Sequence, residues 1–205
     1  MDFLRQTLFL SILFITFISR AQENAKLQQA FELSYIAEAK GDYNMAIHHL
    51  TSVYQTESYE INIRLGWLNY VSGRFTEALP YYQKCIALMP MSIEARLGFI
   101  NPSAALGNWT AVEQQYLEIL RLDPMNTIAN YRMGLLNYGK DNYVEALKYF
   151  NKVLNLYPFD YDTVVMVGWS LYKIGKLREA KVMFQKTLLI KPNDSSALEG
   201  LSLIR

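Results

Sequence analysis

The segment GDYNMAI at residues 41–47 recurs along the chain in four further versions, and this recurrence decides the fold. The other versions are GRFTEAL at 73–79, GNWTAVE at 107–113, DNYVEAL at 141–147 and GKLREAK at 175–181. Their first residues are separated by 32, 34, 34 and 34 residues. A repeat of this length indicates stacked helical hairpins rather than a single globular core, because each repeat buries its apolar face against its neighbours.

Turn residues and prolines divide every repeat into two helices. The first position of each segment is a turn residue: Gly41, Gly73, Gly107, Asp141 and Gly175. At this point the chain must adopt a left-handed conformation, which glycine enters without penalty and Asp tolerates. The second helix is followed by a residue that cannot continue it: Pro90, Pro124, Pro158 and Pro192. We therefore expect a first helix of about 14 residues, a tight turn and a second helix that ends near the proline.

Where the two helices of a hairpin should meet, one position of the repeat is consistently small and another is consistently large and apolar. On the second helix, one position is small: Ala46, Ala78, Val112, Ala146 and Ala180. Another position is large: Leu50, Tyr82, Tyr116, Phe150 and Phe184. The first helix carries Gly66, Gly134 and Gly168 at one position. Because glycine inside a helix costs about 1 kcal/mol relative to Ala, its recurrence indicates close helix packing that outweighs this cost.

These residues resemble the pattern of the tetratricopeptide repeat family, which is clearest in the fourth repeat as Gly134, Tyr143, Ala146, Phe150 and Pro158. The resemblance implies an all-α, right-handed solenoid of about five helical hairpins. The expected repeats cover about 27–58, 59–92, 93–126, 127–160 and 161–192, after a short lead at 22–26 and before a capping helix at 193–205. The first repeat matches least well, with Ser34 and Ser58 at the early Gly and terminal Pro positions. The third has Ile100 at the early Gly position and Pro102 inside its first helix, which predicts a kink or a tolerated bend.

The N-terminus differs from the repeats and predicts a secretory signal peptide at residues 1–21. Arg5 precedes the apolar run TLFLSILFITFI at 7–18, and Ser19-Arg20-Ala21 follows it. As a helix this run would span only about 18 Å, which is short for a membrane anchor, although an uncleaved anchor is the alternative. The sequence thus predicts an exported, periplasmic protein with no integral membrane segment after signal cleavage.

Composition argues against several functional classes. The net charge of +1 offers no basic field for nucleic acid. His48 and His49 are adjacent in sequence, whereas two metal ligands on a helix need a spacing of three or four residues. Cys85 is the lone cysteine and reads as a buried small hydrophobe. We therefore predict no catalytic residue, no cofactor and no metal site.

The family resemblance implies a concave groove lined by the first helices, in which partner peptides lie. The residues predicted to bind a partner there are Tyr35, Trp67, Tyr70, Asn101, Tyr131, Tyr138, Trp169 and Tyr172. The tyrosines at 70, 138 and 172 could equally serve packing, whereas the two tryptophans are less required by it. A groove of this composition favours an apolar or aromatic segment over a C-terminal carboxylate, which the family binds with Lys, Arg and Asn.

The predicted function is a non-catalytic scaffold or adaptor that binds a partner polypeptide of unknown identity. The alternative is a structural subunit of a bacterial envelope machine for polymer export, secretion or assembly, which would use its convex face or its ends.

Overall fold

The structure is a computed structural model that describes residues 22–204, so the predicted signal peptide at 1–21 lies outside the described residues. The described range contains eleven α-helices and no β-strand, which confirms the predicted all-α class. In chain order the helices are α1 (22–39), α2 (Tyr43–Thr51), α3 (Tyr59–Val71), α4 (Phe75–Leu88), α5 (Ile93–Ala105), α6 (Trp109–Leu122), α7 (Thr127–Gly139), α8 (Tyr143–Leu156), α9 (Tyr161–Lys173), α10 (Leu177–Ile190) and α11 (Ser195–Leu203).

The described residues divide into two compact units, with the boundary between Gly107 and Asn108. The described part of the N-terminal unit contains α1 to α5, and that of the C-terminal unit contains α6 to α11. The boundary falls between α5 and α6, which are the two helices of the third predicted repeat.

Side-chain caps fix where the first helix of each hairpin begins. Helices α3, α5, α7, α9 and α11 begin at residues 59, 93, 127, 161 and 195, a constant step of 34 residues. In each case the preceding side chain accepts a hydrogen bond from the backbone N–H three residues later, and the capping residues are Ser58, Ser92, Asn126, Asp160 and Asp194. These bonds satisfy donors that a helix N-terminus otherwise leaves unpaired.

A tyrosine at the start of one first helix reaches the cap of the next first helix. The hydroxyl of Tyr59 lies 2.8 Å from Oγ of Ser92. In the C-terminal unit the hydroxyl of Tyr161 donates a hydrogen bond of 2.6 Å to Oδ2 of Asp194. Each contact joins two consecutive repeats at their N-terminal ends, and we call it a clasp.

The predicted turn conformations are confirmed. Gly41, Gly73, Gly107 and Gly175 have φ angles of 73–79°, and Asp141 has a φ of 60°. These angles lie in the left-handed region, so Asp141 occupies a conformation that costs it more than it costs glycine.

The core of the N-terminal unit is built from α1 to α5. Leu50, Ile61 and Leu65 are fully buried within it. Farther along the unit, the ring of Tyr82 lies in a slot between two glycines: a Cβ on Gly66 would lie 3.0 Å from this ring, and a Cβ on Gly98 would overlap it. Gly66 was predicted to allow close packing within its own hairpin, whereas Gly98 approaches from the next repeat and was not predicted.

Cys85 is buried in the same unit, as predicted. Burial, together with the nearby carboxylates of Glu94 and Glu60, raises the pKa of its thiol to about 12. The thiol is therefore protonated at neutral pH and behaves as a small apolar group.

The core of the C-terminal unit centres on Phe150 and Phe184, both fully buried. The ring of Phe184 lies between Gly168 on α9 and Gly200 on α11, since a Cβ on either would crowd it. Ala197 is also fully buried in this cluster. Helix α11 therefore closes the apolar end of the core through its small residues.

Helix α5 continues through Pro102 as far as Ala105. Pro102 itself is buried, and its carbonyl accepts a hydrogen bond of 3.0 Å from the backbone N–H of Leu106. A proline inside a helix removes one hydrogen bond of the ladder, here the bond to the carbonyl of Gly98, and α5 nevertheless continues past it. The helix thus tolerates the proline.

Candidate functional site

Two exposed aromatic residues of the N-terminal unit stand on neighbouring first helices. Tyr35 on α1 is 54% exposed and Trp67 on α3 is 42% exposed. Aromatic side chains are equally exposed elsewhere in the described residues, as at Trp109 and Phe159, so what distinguishes Tyr35 and Trp67 is how they are held. Both were predicted to bind a partner.

An ion pair between the two helices holds these rings in place. Glu38 on α1 accepts a hydrogen bond from the guanidinium of Arg64 and another, of 2.7 Å, from the indole nitrogen of Trp67. The guanidinium carbon of Arg64 lies 4.0 Å from the centre of the Tyr35 ring, which places a cation over its face. We call Tyr35, Glu38, Arg64 and Trp67 the Trp67 cluster.

The carboxylate of Glu38 is held in its charged form. Partial burial alone would raise its pKa, but the hydrogen bonds from Arg64 and Trp67 and the charge of Arg64 outweigh burial and lower it. Arg64 is itself buried. The two charges therefore neutralise each other within the cluster, and the surface left to solvent is aromatic.

Tyr70 extends this aromatic surface, whereas Asn101 stands apart. The Tyr70 ring centre lies 6.1 Å from that of Trp67 and 5.9 Å from that of Phe75. Asn101 is exposed on α5 and has no contact with the cluster among those observed. The N-terminal unit thus brings together three of its four predicted binding residues.

In the C-terminal unit, Trp169 has a packing role that was not predicted from the sequence. Its indole nitrogen donates a hydrogen bond of 2.7 Å to Oγ of Ser196, and its ring centre lies 5.1 Å from that of Phe184. Tyr172 lies beside it, with ring centres 5.8 Å apart. Trp169 is therefore half-buried and helps to hold α11 on α9, unlike Trp67.

Tyr131 and Tyr138 are also half-buried. The ring of Tyr131 lies 5.7 Å from that of Phe150, and the ring of Tyr138 lies 5.1 Å from that of Tyr143. Burial raises the pKa of both phenols. Packing is thus part of what these tyrosines do; this alternative was considered from sequence for Tyr138 but not for Tyr131.

An open cleft of about 400 Å³ lies beside Tyr131 and runs between α7, the end of α8 and the start of α9. Its lining combines apolar, aromatic and charged side chains: Ile128, Tyr131, Arg132, Val153, Tyr157 and Asp162. Of these, only Tyr131 was predicted from sequence, because the others lie off the line of aromatic positions that the prediction followed.

The described residues carry no group of three or more His, Cys, Asp or Glu side chains that could hold a metal ion. Within 22–204, moreover, no helix combines the length and apolar composition needed to cross a bilayer.

Comparison with known proteins identifies the repeats. Residues 59–90 and 104–161 match sequence models described as tetratricopeptide repeat. The chain is 27% identical over 176 residues to TPR repeat-containing protein YpiA of Bacillus subtilis (strain 168), covering 83% of this chain and 41% of that protein. It is 23% identical over 193 residues to Anaphase-promoting complex subunit 7 of Arabidopsis thaliana, covering 91% of this chain and 34% of that protein. The chain thus spans less than half the length of these relatives.

Solved structures share the fold. The crystal structure of MamA protein has a TM-score of 0.70 at 19% identity, covering 82% of this chain and 93% of that one. A tetratricopeptide repeat protein from Parabacteroides merdae ATCC 43184 has a TM-score of 0.75 at 22% identity, covering 88% of this chain and 72% of that one. The chain contains tetratricopeptide repeats and has the fold of these proteins.

Proposed function

We propose that this chain, which contains tetratricopeptide repeats, is an adaptor that binds an apolar or aromatic segment of a partner polypeptide through the first helices of its repeats. Proteins with these repeats are protein-interaction scaffolds. The observation that carries the proposal is the Trp67 cluster, in which two exposed aromatic rings are fixed by a partly buried ion pair.

Fixed aromatic rings suit recognition for an energetic reason. Tyr and Trp supply much of the affinity of protein interfaces, and a side chain that is already held loses little rotamer entropy on binding. The hydrogen bond from Trp67 to Glu38 and the stacking of Arg64 on Tyr35 provide this restraint.

The absence of net charge in the cluster favours an apolar or aromatic segment of the partner. Because Glu38 and Arg64 neutralise each other, the cluster offers no net charge to an acidic or basic peptide. A partner gains most by covering the faces of Tyr35 and Trp67, and an apolar or aromatic side chain does so without leaving a charge unpaired.

Crosslinking and capture from the native cells test the proposal, with wild type, Trp67→Ala and Trp109→Ala compared in parallel. Trp109 is the matched control, since it is 58% exposed and lies on the second helix α6. We expect a defined partner to be captured by wild type and Trp109→Ala and lost from Trp67→Ala. Equal capture by all three proteins would contradict binding at the cluster. Trp169→Ala is unsuitable because it removes a core contact.

The alternative, a structural subunit of an envelope machine, draws support from apolar side chains on the last two helices. Leu189 on α10 is 74% exposed, and Leu198 and Leu203 on α11 are exposed as well. Capture that survives Trp67→Ala but is lost from Leu189→Ser with Leu198→Ser would favour this alternative.

Export to the periplasm is a further part of the proposal and rests on the sequence of residues 1–21. Mass spectrometry of the protein from native cells should find a mature chain that begins at Gln22, in the periplasmic fraction. An intact Met1 N-terminus in the cytoplasmic fraction would contradict export.

A further inference from the structure

The cleft beside Tyr131 is lined by two exposed side chains of opposite charge, Arg132 and Asp162. Neither of them forms a hydrogen bond or an ion pair with another residue of 22–204. The other charged residue of its lining, Asp160, is already occupied as the cap of α9, where it accepts hydrogen bonds from Thr163.

The rest of the lining forms an apolar and aromatic surface between these charges. Ile128 and Val153 contribute aliphatic surface, and Tyr131 and Tyr157 contribute rings. Ile128 and Tyr157 are exposed to solvent. The hydroxyls of both tyrosines lack a hydrogen-bond partner among residues 22–204. Such a lining, with a few polar groups around apolar surface, is typical of a binding site.

We propose that this cleft binds a short polypeptide motif in which an apolar side chain is flanked by an acidic side chain and a basic side chain. The apolar side chain lies on Ile128 and Val153, the acidic one pairs with Arg132, and the basic one pairs with Asp162. This inference rests on the proposed adaptor function and specifies the partner's sequence at a second place, in the C-terminal unit.

Charge complementarity decides between this occupant and a purely apolar one. A wholly apolar segment would cover Arg132 and Asp162 without pairing them, at a cost in desolvation. A segment with both charges forms two charge-assisted hydrogen bonds at the rim and gains specificity from their positions. Because the rim is solvated, each pair adds only modestly to affinity.

Labelled Gly/Ser peptides with one central triplet test the motif by fluorescence anisotropy on the full mature chain. The triplets are Glu-Leu-Lys, Glu-Leu-Gln, Gln-Leu-Lys, Gln-Leu-Gln and Glu-Ser-Lys. We expect Glu-Leu-Lys to bind about fivefold more tightly than Gln-Leu-Gln at low salt, and this advantage to shrink at high salt. Glu-Ser-Lys should bind more weakly than Glu-Leu-Lys, because it lacks the apolar contact.

Two single variants assign each charge to its partner. With Arg132→Gln, Glu-Leu-Gln should bind no more tightly than Gln-Leu-Gln, whereas Gln-Leu-Lys should still bind more tightly than Gln-Leu-Gln. With Asp162→Asn, Gln-Leu-Lys should lose its higher affinity and Glu-Leu-Gln should keep it. Arg178→Gln with Glu179→Gln is the matched control, since it removes one exposed charge of each sign on α10. In this control variant, both charged peptides should still bind more tightly than Gln-Leu-Gln.

Equal affinity for all five peptides, including no binding by any, would overturn the proposal, as would charge effects that survive both variants. Self-association that is lost in Arg132→Gln would also overturn it, by assigning the cleft to a second copy. None of these results touches the adaptor function, which fails only if capture of the partner is insensitive to Trp67→Ala.

Discussion

The indole nitrogen of Trp67 donates a hydrogen bond of 2.7 Å to Oε1 of Glu38, which stands 29 residues earlier in the chain on the first helix of the preceding hairpin. Trp67 is thus both exposed and restrained. The other oxygen of the same carboxylate accepts from Arg64, so one acidic side chain positions the indole and neutralises a buried cation. The energetic consequences of this relationship can be measured.

Replacing Glu38 by Gln should destabilise the protein. The change keeps the shape of the side chain but leaves the buried guanidinium of Arg64 without its counter-charge, at a cost of about 1–2 kcal/mol in the free energy of unfolding. Urea denaturation followed by circular dichroism measures this. Glu32→Gln, at an exposed position of the same helix, is the control and should be neutral within about 0.5 kcal/mol. Equal stability of the two variants would show that the pair contributes nothing.

The stability gained from Glu38 should depend on pH. Its pKa in the folded protein lies below the ordinary value of 4.5, so the folded state favours the carboxylate. This contribution is complete above the unfolded pKa and is lost as the pH falls through the folded pKa. The gap in unfolding free energy between wild type and Glu38→Gln should therefore be constant near neutral pH and narrow below about pH 4.5. A gap that widens on acidification would refute the assigned direction.

Adding one methyl group at Gly98 should disturb the core. The new Cβ would overlap the ring of Tyr82, which is confined on its other side by Gly66. We expect Gly98→Ala to lower the unfolding free energy by about 1–3 kcal/mol. Gly139→Ala is the matched control, because no atom lies within 4 Å of its Cβ position and the residue is helical. It should be neutral or stabilising by up to about 1 kcal/mol. Similar effects of both changes would contradict the slot around Tyr82.

Removing the cap of the last helix should loosen it. Asp194 accepts hydrogen bonds from the backbone N–H of Ala197 and from the hydroxyl of Tyr161. Asp194→Ala should cost about 1–2 kcal/mol and raise amide hydrogen exchange across α11. Asp194→Asn retains an acceptor and should restore much of the protection. Unchanged exchange in Asp194→Ala would show that packing on Phe184 alone holds the helix.

The thiol of Cys85 should be unreactive in the native protein. It is buried and its pKa is raised to about 12, so little thiolate is present or accessible near neutral pH. Labelling with a disulfide reagent should be at least about a hundredfold slower than in urea-unfolded protein. Rapid native labelling would mean that the hairpin of α3 and α4 opens readily.

The sequence predicted the turns well because a backbone requirement restricts the residue. A left-handed φ admits Gly or Asp, so Gly41 and Asp141 mark the same place in different repeats without knowledge of their surroundings. The facing glycines Gly66 and Gly168 were predictable because they share one position of the repeat. Gly98 and Gly200 were missed because they share a different position, which faces the second helix of the preceding repeat.

The candidate site was less predictable because it depends on side-chain partners that repeat spacing does not specify. Trp67 and Trp169 occupy equivalent positions, yet one bonds to Glu38 and stays exposed while the other bonds to Ser196 and packs on Phe184. The cleft at Arg132 and Asp162 depends likewise on how α7, α8 and α9 meet in space.

The clasps at Tyr59 and Tyr161 make a single repeat the unit by which such a chain can be lengthened. Each clasp is contained in one repeat and the first residues of its successor, so a duplicated 34-residue stretch would bring both its own starting signal and its own attachment. Such a chain can be lengthened or shortened by whole repeats without new contacts having to evolve between neighbouring repeats. The number of repeats can then vary while each added repeat keeps the same contact with its neighbour, although α5 and α7, which begin at Ile93 and Thr127, lack this tyrosine.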